Sequence, residues 1–328
     1  MIRLGLIGCG EHSESGHAIP LARYKAAHPN EIELAAACDL RTERAQDFCR
    51  KYGFSDAYDD ADEMLARQKL DGCIAVVPME RIPQLGIRLL RLGIPCVVEK
   101  PLGASLAEVK ALLDAARTTH TPNMVSVNRR FMPFLNRALA WTRTVGPLRY
   151  VRCTLMRQAR REPDFLRATA VHAVDALRYI GGEVAAAKIR ILGTGRESPA
   201  WYAIDLGFES GTSGHIDVLP TAGMLEEIYD LIGDGFRASV TCPFGPQRSW
   251  RCFRDNCLVA EEVAAQDVPE DVLNGCYDEV VEFVRALNHK DAPHPSIEEV
   301  FPSVQLCLAM AKSAEENAEK PSSREDVI

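Results

Sequence analysis

Gly8-Cys9-Gly10 stands directly after an apolar run, Ile2–Ile7, and a second apolar run, Ile32–Cys38, is closed by Asp39. Glycines in that position permit a tight turn and let backbone N–H groups approach a phosphate at the start of the next helix. An acidic residue after the second strand accepts hydrogen bonds from ribose hydroxyls. Together they point to dinucleotide binding. The Asp39 carboxylate repels a 2′-phosphate and so favours NAD, while Arg41 and Arg44 nearby keep NADP in play. The third glycine of G-x-G-x-x-G is absent: Ser13 stands there and Gly16 comes later, which predicts a longer loop over Glu11–Gly16. Further along, Glu99-Lys100-Pro101-Leu102 follows the apolar run Ile94–Val98. His172 and Asp175 sit at i and i+3, on one face of a helix. Imidazole titrates near neutrality and suits proton transfer. The basic stretch Met156–Arg161 either lines a pocket, favouring an anionic substrate, or simply faces water.

These residues need a scaffold that brings strand ends together. Over the first 120 or so residues, short unbroken apolar runs alternate with helical segments, the rhythm of a parallel sheet covered on both faces. Runs at Ile2–Ile7, Ile32–Cys38, Asp71–Val77, Ile94–Val98 and Met124–Val127 read as strands. Thr42 reads as a helix cap, and Ser105 with Glu108 as a capping box. After Pro122 long alternating segments punctuated by Gly and Pro replace the βα units, with helices at about Ala170–Ile180, Tyr277–Asn288 and Ile297–Glu316. The expected architecture is an α/β Rossmann domain, a doubly wound parallel sheet, over 1–122. An α+β domain with a large open, mainly antiparallel sheet follows over 123–328, its closing helices able to pack back on the first domain. Pro321–Ile328 reads as a frayed tail.

Composition removes several function classes. A net charge of −8 argues against nucleic-acid binding. The eleven cysteines include no C-x-x-C pair, which argues against zinc and reads as buried thiols in a reducing compartment. No signal-like segment or bilayer-length apolar stretch is visible, so no membrane role and a cytoplasmic location are expected. An open sheet with few helices to cover it would leave an apolar face, which predicts a homodimer or homotetramer.

Gly8-Cys9-Gly10, Asp39, Glu99-Lys100-Pro101-Leu102 and Asn128-Arg129-Arg130-Phe131 together resemble the Gfo/Idh/MocA family of oxidoreductases, and the pattern extends over nearly the whole chain. The resemblance implies that Lys100 lies between nicotinamide and substrate, where an ammonium hydrogen-bonds the reacting oxygen and stabilises developing charge. It implies that Glu99 shapes the nicotinamide side, that Pro78 lies near the cofactor, and that Asn128 and Arg130 face cofactor or substrate. His172 matches the family's general acid/base, with Asp175 orienting the ring or packing against the sheet. The candidate catalytic residues are thus Lys100, His172 and Asp175. The candidate cofactor residues are Gly8, Gly10, Glu11, His12, Asp39, Arg41, Pro78, Glu99, Lys100 and Asn128. One departure stands out: Ala168 occupies the place of the aspartate that many family dehydrogenases carry one turn before the histidine. The implied activity is hydride transfer between NAD, or NADP, and a sugar, polyol or related carbonyl compound. The alternatives are an NAD-using hydrolase or lyase without net redox, and a non-catalytic dinucleotide sensor.

Overall fold

A computed structural model describes residues 1–162, 164–192, 200–318 and 325–327. The chain divides into two compact units, Met1–Asn128 with Gly275–Pro302, and Arg129–Asn274 with Ser303–Ile328.

The first unit is built on six parallel strands: β1 (Ile2–Ile7), β2 (Ile32–Cys38), β3 (Asp56–Tyr58), β4 (Gly72–Ala75), β5 (Cys96–Glu99) and β6 (Asn123–Ser126). Their order is β3-β2-β1-β4-β5-β6, so the winding reverses between β1 and β4. Doubly wound sheets bind ligands at that reversal, outside the carboxyl ends of the strands. Leu4, Leu6, Ala36, Cys73, Ile74 and Val98 are buried, as unbroken apolar runs covered on both faces require. The Ser105 capping box opens the helix Leu106–Thr119. Thr42, by contrast, is the first helical residue rather than the cap, which is Arg41, and its hydroxyl donates to Asp59 instead.

The first unit extends past the expected limit of 122, because β6 pairs with β5 in its sheet. The helix Cys276–His289 and the turn after it also belong to it. The Val125 N–H donates to the Pro295 carbonyl, and Asn123 accepts from the Ile297 N–H.

In the second unit the strands are β7 (Leu148–Met156), β8 (Val184–Leu192), β9 (Trp201–Phe208), β10 (Ser213–Leu219), β11 (Glu226–Gly233), β12 (Phe236–Thr241), β13 (Ser249–Arg254), β14 (Cys257–Val263) and β15 (Glu325–Val327). They form one mainly antiparallel sheet, ordered β14-β13-β12-β11-β7-β10-β9-β8-β15, with β10 parallel to β7. The end of the chain is therefore not entirely a frayed tail, since β15 pairs with β8; residues 319–324 and 328 lie outside the described residues. Along β7 and β10, Val151, Cys153, Leu155, Ile216 and Val218 point under the helix Val171–Gly181. The alternate residues form a mixed outward face. His215 bonds Asp205 and Asp217, and Arg152 pairs with Asp217. Beside these ion pairs, cross-strand partners of one another, lie the half-buried apolar side chains of Met156, Leu219, Ile228 and Ile232. Among the described residues no helix is long and apolar enough to cross a membrane.

A buried ion cluster sits within this second unit. Glu227 accepts from Arg129 (Nε–Oε2 3.0 Å), from Arg157 and from the Tyr229 hydroxyl at 2.9 Å, and all four side chains are buried. Burial pushes the Glu227 carboxyl up, but the charges of and hydrogen bonds from Arg129 and Arg157 outweigh it and bring it down to about 2. A depressed folded-state value stabilises the fold above the ordinary carboxylate range and is lost as pH falls from about 4.5 to about 2. A denaturant titration at pH 7 and again near pH 2.5 should show Glu227→Gln less sensitive to acid than the wild type by on the order of 3 kcal/mol. The same variant should be several kcal/mol weaker at pH 7, because two guanidinium groups stay buried without their carboxylate.

Candidate functional site

The carboxyl edge of the first sheet gathers Gly8 after β1, Asp39 after β2, Pro78 beyond β4 and Lys100 after β5. Gly8 adopts φ +97°, and a Cβ there would lie 1.8 Å from the Val76 carbonyl oxygen, so only glycine lets β1 turn beside β4. Asp39 braces the same turn: Oδ2 accepts the Cys9 N–H at 2.8 Å and Oδ1 accepts the Arg41 N–H at 2.9 Å. Each oxygen retains a further lone pair for a ribose hydroxyl. The guanidinium of Arg41 is exposed.

Residues Glu11–Gly16 form no loop. Helix starts at Glu11 and runs on through Ala27, its middle a π-helical turn over Glu14–Ala18. The extra residue that the sequence placed in a loop is absorbed as one wide turn, since a π turn closes on i+5. No side chain caps Gly10, and the first helical bond runs from the Glu14 N–H to the Gly10 carbonyl at 2.9 Å. The N–H groups of Glu11, His12 and Ser13 therefore face out of the helix start, the positive end of its dipole.

A cavity of about 310 Å³ opens in front of them, lined by Gly10, His12, Ser13, Pro78, Glu99 and Lys100 among others. Two features fit it to a dinucleotide. A Cβ on Gly10 would meet nothing within 4 Å, so packing does not demand glycine there; the bare Cα leaves room for a ligand at the helix start. The buried Ser13 hydroxyl has no hydrogen-bond partner among the described residues. A pyrophosphate at the N–H groups of Glu11–Ser13 would use both. Glu11 contributes through its backbone only, since its own carboxylate is exposed and opposes an anion.

At the cavity wall the candidates Glu99 and His12 are joined by His17, which sequence reasoning missed. Glu99 is buried and its Oε1 takes both the His17 Nε2 at 2.6 Å and the His12 Nε2 at 3.2 Å, while Oε2 accepts the Lys100 N–H at 3.1 Å. Burial raises the Glu99 carboxyl, yet the charge of His12 and the hydrogen bonds from both rings hold it well below the usual carboxylate range. In an α-helix residues five apart point roughly 140° away from each other, so no periodic signal links His12 with His17. The π turn brings them to one oxygen.

The structure gives other candidates neighbours of their own. Asp175 is buried, with Arg130 donating to both its oxygens (2.8 and 2.7 Å) and Ser303 donating to Oδ1 at 2.7 Å, and it thus anchors both. His172, buried near the start of Val171–Gly181, lies on a different helix from Ala168, which ends the short helix Phe165–Ala168. Asn128 is buried and donates to the Cys276 thiol at 3.6 Å. In the basic stretch Arg157 pairs with the buried Glu227 and Arg160 with Glu162. Among the described residues no group of three or more His, Cys, Asp or Glu is placed to hold a metal ion.

Comparison with known proteins bears on the family and the fold. Residues 2–128 match the family described as "Oxidoreductase family, NAD-binding Rossmann fold". D-glucoside 3-dehydrogenase of Escherichia coli is 29% identical over 116 residues, 35% of this chain and 32% of that protein. Myo-inositol 2-dehydrogenase of Thermotoga maritima is 25% identical over 196 residues, 56% of this chain and 55% of that one. The chain therefore aligns with well under two thirds of either relative. A Gfo/Idh/MocA family oxidoreductase from Vibrio cholerae superposes with a TM-score of 0.83 at 20% identity, covering 98% of this chain and all of the other, which speaks to the fold.

Proposed function

Since the chain belongs to the Gfo/Idh/MocA family of oxidoreductases, we propose that it is an NAD-dependent dehydrogenase or reductase acting on the CH–OH or carbonyl group of a carbohydrate-like compound. The observation that carries this is the cavity in which the Gly10 turn, the helix start and Lys100 share one wall. When bound, NAD supplies a nicotinamide ring that accepts or returns hydride. The N–H groups of Glu11–Ser13 hold the pyrophosphate and Asp39 the adenosine ribose. Lys100 donates to the substrate oxygen and stabilises charge developing there. His172 moves the hydroxyl proton. Asp39 favours NAD over NADP, because its carboxylate, fixed by two backbone N–H groups, repels a 2′-phosphate. A homodimer or homotetramer through the outward face of the second sheet belongs to the same reading; its support is the half-buried ion network there together with Met156, Ile228 and Ile232.

The test is incubation with NAD, then NADP, and a panel of aldoses, polyols and glycosides, following absorbance at 340 nm. Reduction of NAD at the expense of a polyol or sugar is expected, with NADP at least tenfold less effective. Release of a leaving group without NADH would assign a lyase or hydrolase instead. Tight cofactor binding with no turnover of any kind would assign a sensor.

A further inference from the structure

The His12–Glu99–His17 group is built more elaborately than cofactor binding alone requires. A carboxylate with 5% of its side chain exposed carries two imidazoles on a single oxygen. One imidazole, His17, is sealed at 4% exposure, and on its far side it meets Leu21, Val97, Phe283 and Glu279. The other, His12, is 60% exposed and lines the cavity beside Lys100. With both rings neutral, the group carries one negative charge at the wall of the cavity. With His12 protonated, it carries none.

We infer that His12 makes the cavity discriminate between the two oxidation states of the nicotinamide ring, the group at Glu99 favouring the cationic oxidised ring when His12 is neutral and losing that preference when His12 takes a proton. This deepens, and rests on, the reading of the cavity as the nicotinamide end of a dinucleotide site. The physical basis is a difference measurement. NAD⁺ and NADH share the adenosine and the pyrophosphate, so those contributions cancel in the ratio of their affinities. What remains is the unit charge on one ring, facing a group whose own charge changes by one. Two like or opposite charges in a partly dry cavity interact far more strongly than in water. By linkage, a ligand that prefers one protonation state shifts the proton equilibrium in return, so NADH binding takes up proton relative to NAD⁺ binding.

The charged neighbours are consistent with His12 as the group that moves. On its own helix Glu11 is exposed to water and Glu14 is turned to Lys51 and Tyr52. From the end of β5 come Glu99 and Lys100, and from the helix Cys276–His289 Glu279 faces His17 rather than the cavity, with the Ser126 hydroxyl donating to its Oε2 at 3.0 Å. Of these, only His12 combines wide solvent access, an imidazole ring and a bond to the buried carboxylate.

The experiment is binding, not turnover. NADH is titrated by its fluorescence and NAD⁺ by calorimetry into the full chain, at intervals from about pH 5.5 to 8.5, a span centred on imidazole titration. In the wild type the ratio Kd(NAD⁺)/Kd(NADH) should rise about tenfold as pH falls through that range, the change that one pKa unit of linkage produces. His12→Gln keeps a donor to Glu99 without the titrating charge and should hold the ratio flat at its high-pH value. His12→Lys, cationic throughout, should hold it flat at the low-pH value. Both substitutions are at an exposed side chain and leave the core intact. A wild-type ratio independent of pH, or a His12→Gln protein with the wild-type slope, overturns the inference while leaving the dehydrogenase reading in place. Failure of the wild type to bind either form overturns that reading itself.

Discussion

Lys100→Met should reduce kcat by about 10²- to 10³-fold while leaving the dissociation constant for NAD within a few-fold of wild type. Methionine matches the length of the side chain and removes the charge. The backbone N–H of residue 100 is unaffected, so its bond to Glu99 Oε2 survives and the wall of the cavity keeps its shape. What is lost is a donor to an oxygen that becomes more negative as hydride departs from, or arrives at, the adjacent carbon. An interaction that strengthens only in the transition state appears in kcat and in kcat/KM together, and not in cofactor affinity. Lys100→Arg should recover part of the loss, because the charge returns on a bulkier and planar head group. Steady-state kinetics beside a fluorescence titration with NADH separates the two quantities. A fall in NADH affinity as large as the fall in kcat would mean that the ammonium serves the cofactor rather than the reaction.

The second large effect is expected at the glycine turn. Gly8→Ala places a methyl group 1.8 Å from the Val76 carbonyl oxygen, at a φ of +97° that side chains rarely adopt. Neither atom is at the end of a flexible side chain, so the backbone itself has to give. The turn would move away from β4, carrying with it Cys9, whose N–H holds Asp39. We expect NAD affinity to fall at least a hundredfold and the thermal midpoint to drop by several degrees, the latter corresponding to about 1–3 kcal/mol of strain. Gly10→Ala is the informative contrast. Its Cβ meets no protein atom, so the midpoint should stay close to wild type while affinity still falls, because the methyl occupies the space left for the pyrophosphate. Differential scanning calorimetry with and without NAD distinguishes strain in the turn from obstruction of the ligand.

Features set by neighbours in sequence were readable before the fold was known. The unbroken apolar strands, the Ser105–Glu108 capping box and the Gly8 turn each follow from a handful of adjacent residues. The placing of Lys100 after β5 was likewise legible, because a strand end in a parallel sheet determines where the next residue emerges. What could not be read were partners supplied from a distance. Arg157 looked like a solvent or substrate residue until its carboxylate arrived from 70 positions away. Asp175 also holds Arg130 and Ser303, the latter 128 positions on. The ion pairs on the outward face of the second sheet depend on strand order and register, which set the alternate residues side by side. His17 was hidden for a subtler reason. A π turn changes the angular spacing of a helix, so two imidazoles that α-helical geometry would set apart share one carboxylate oxygen.

A crystal structure of the full chain with NAD bound would place the nicotinamide ring directly. The ring should lie against Pro78 with Lys100 Nζ within hydrogen-bonding reach of a substrate oxygen at its C4 side, roughly 3 Å away, and the pyrophosphate should cross Gly10 to accept from the N–H groups of Glu11–Ser13. A nicotinamide found outside the cavity shared by Gly10, Pro78 and Lys100, or a pyrophosphate away from the helix start, would contradict the assignment.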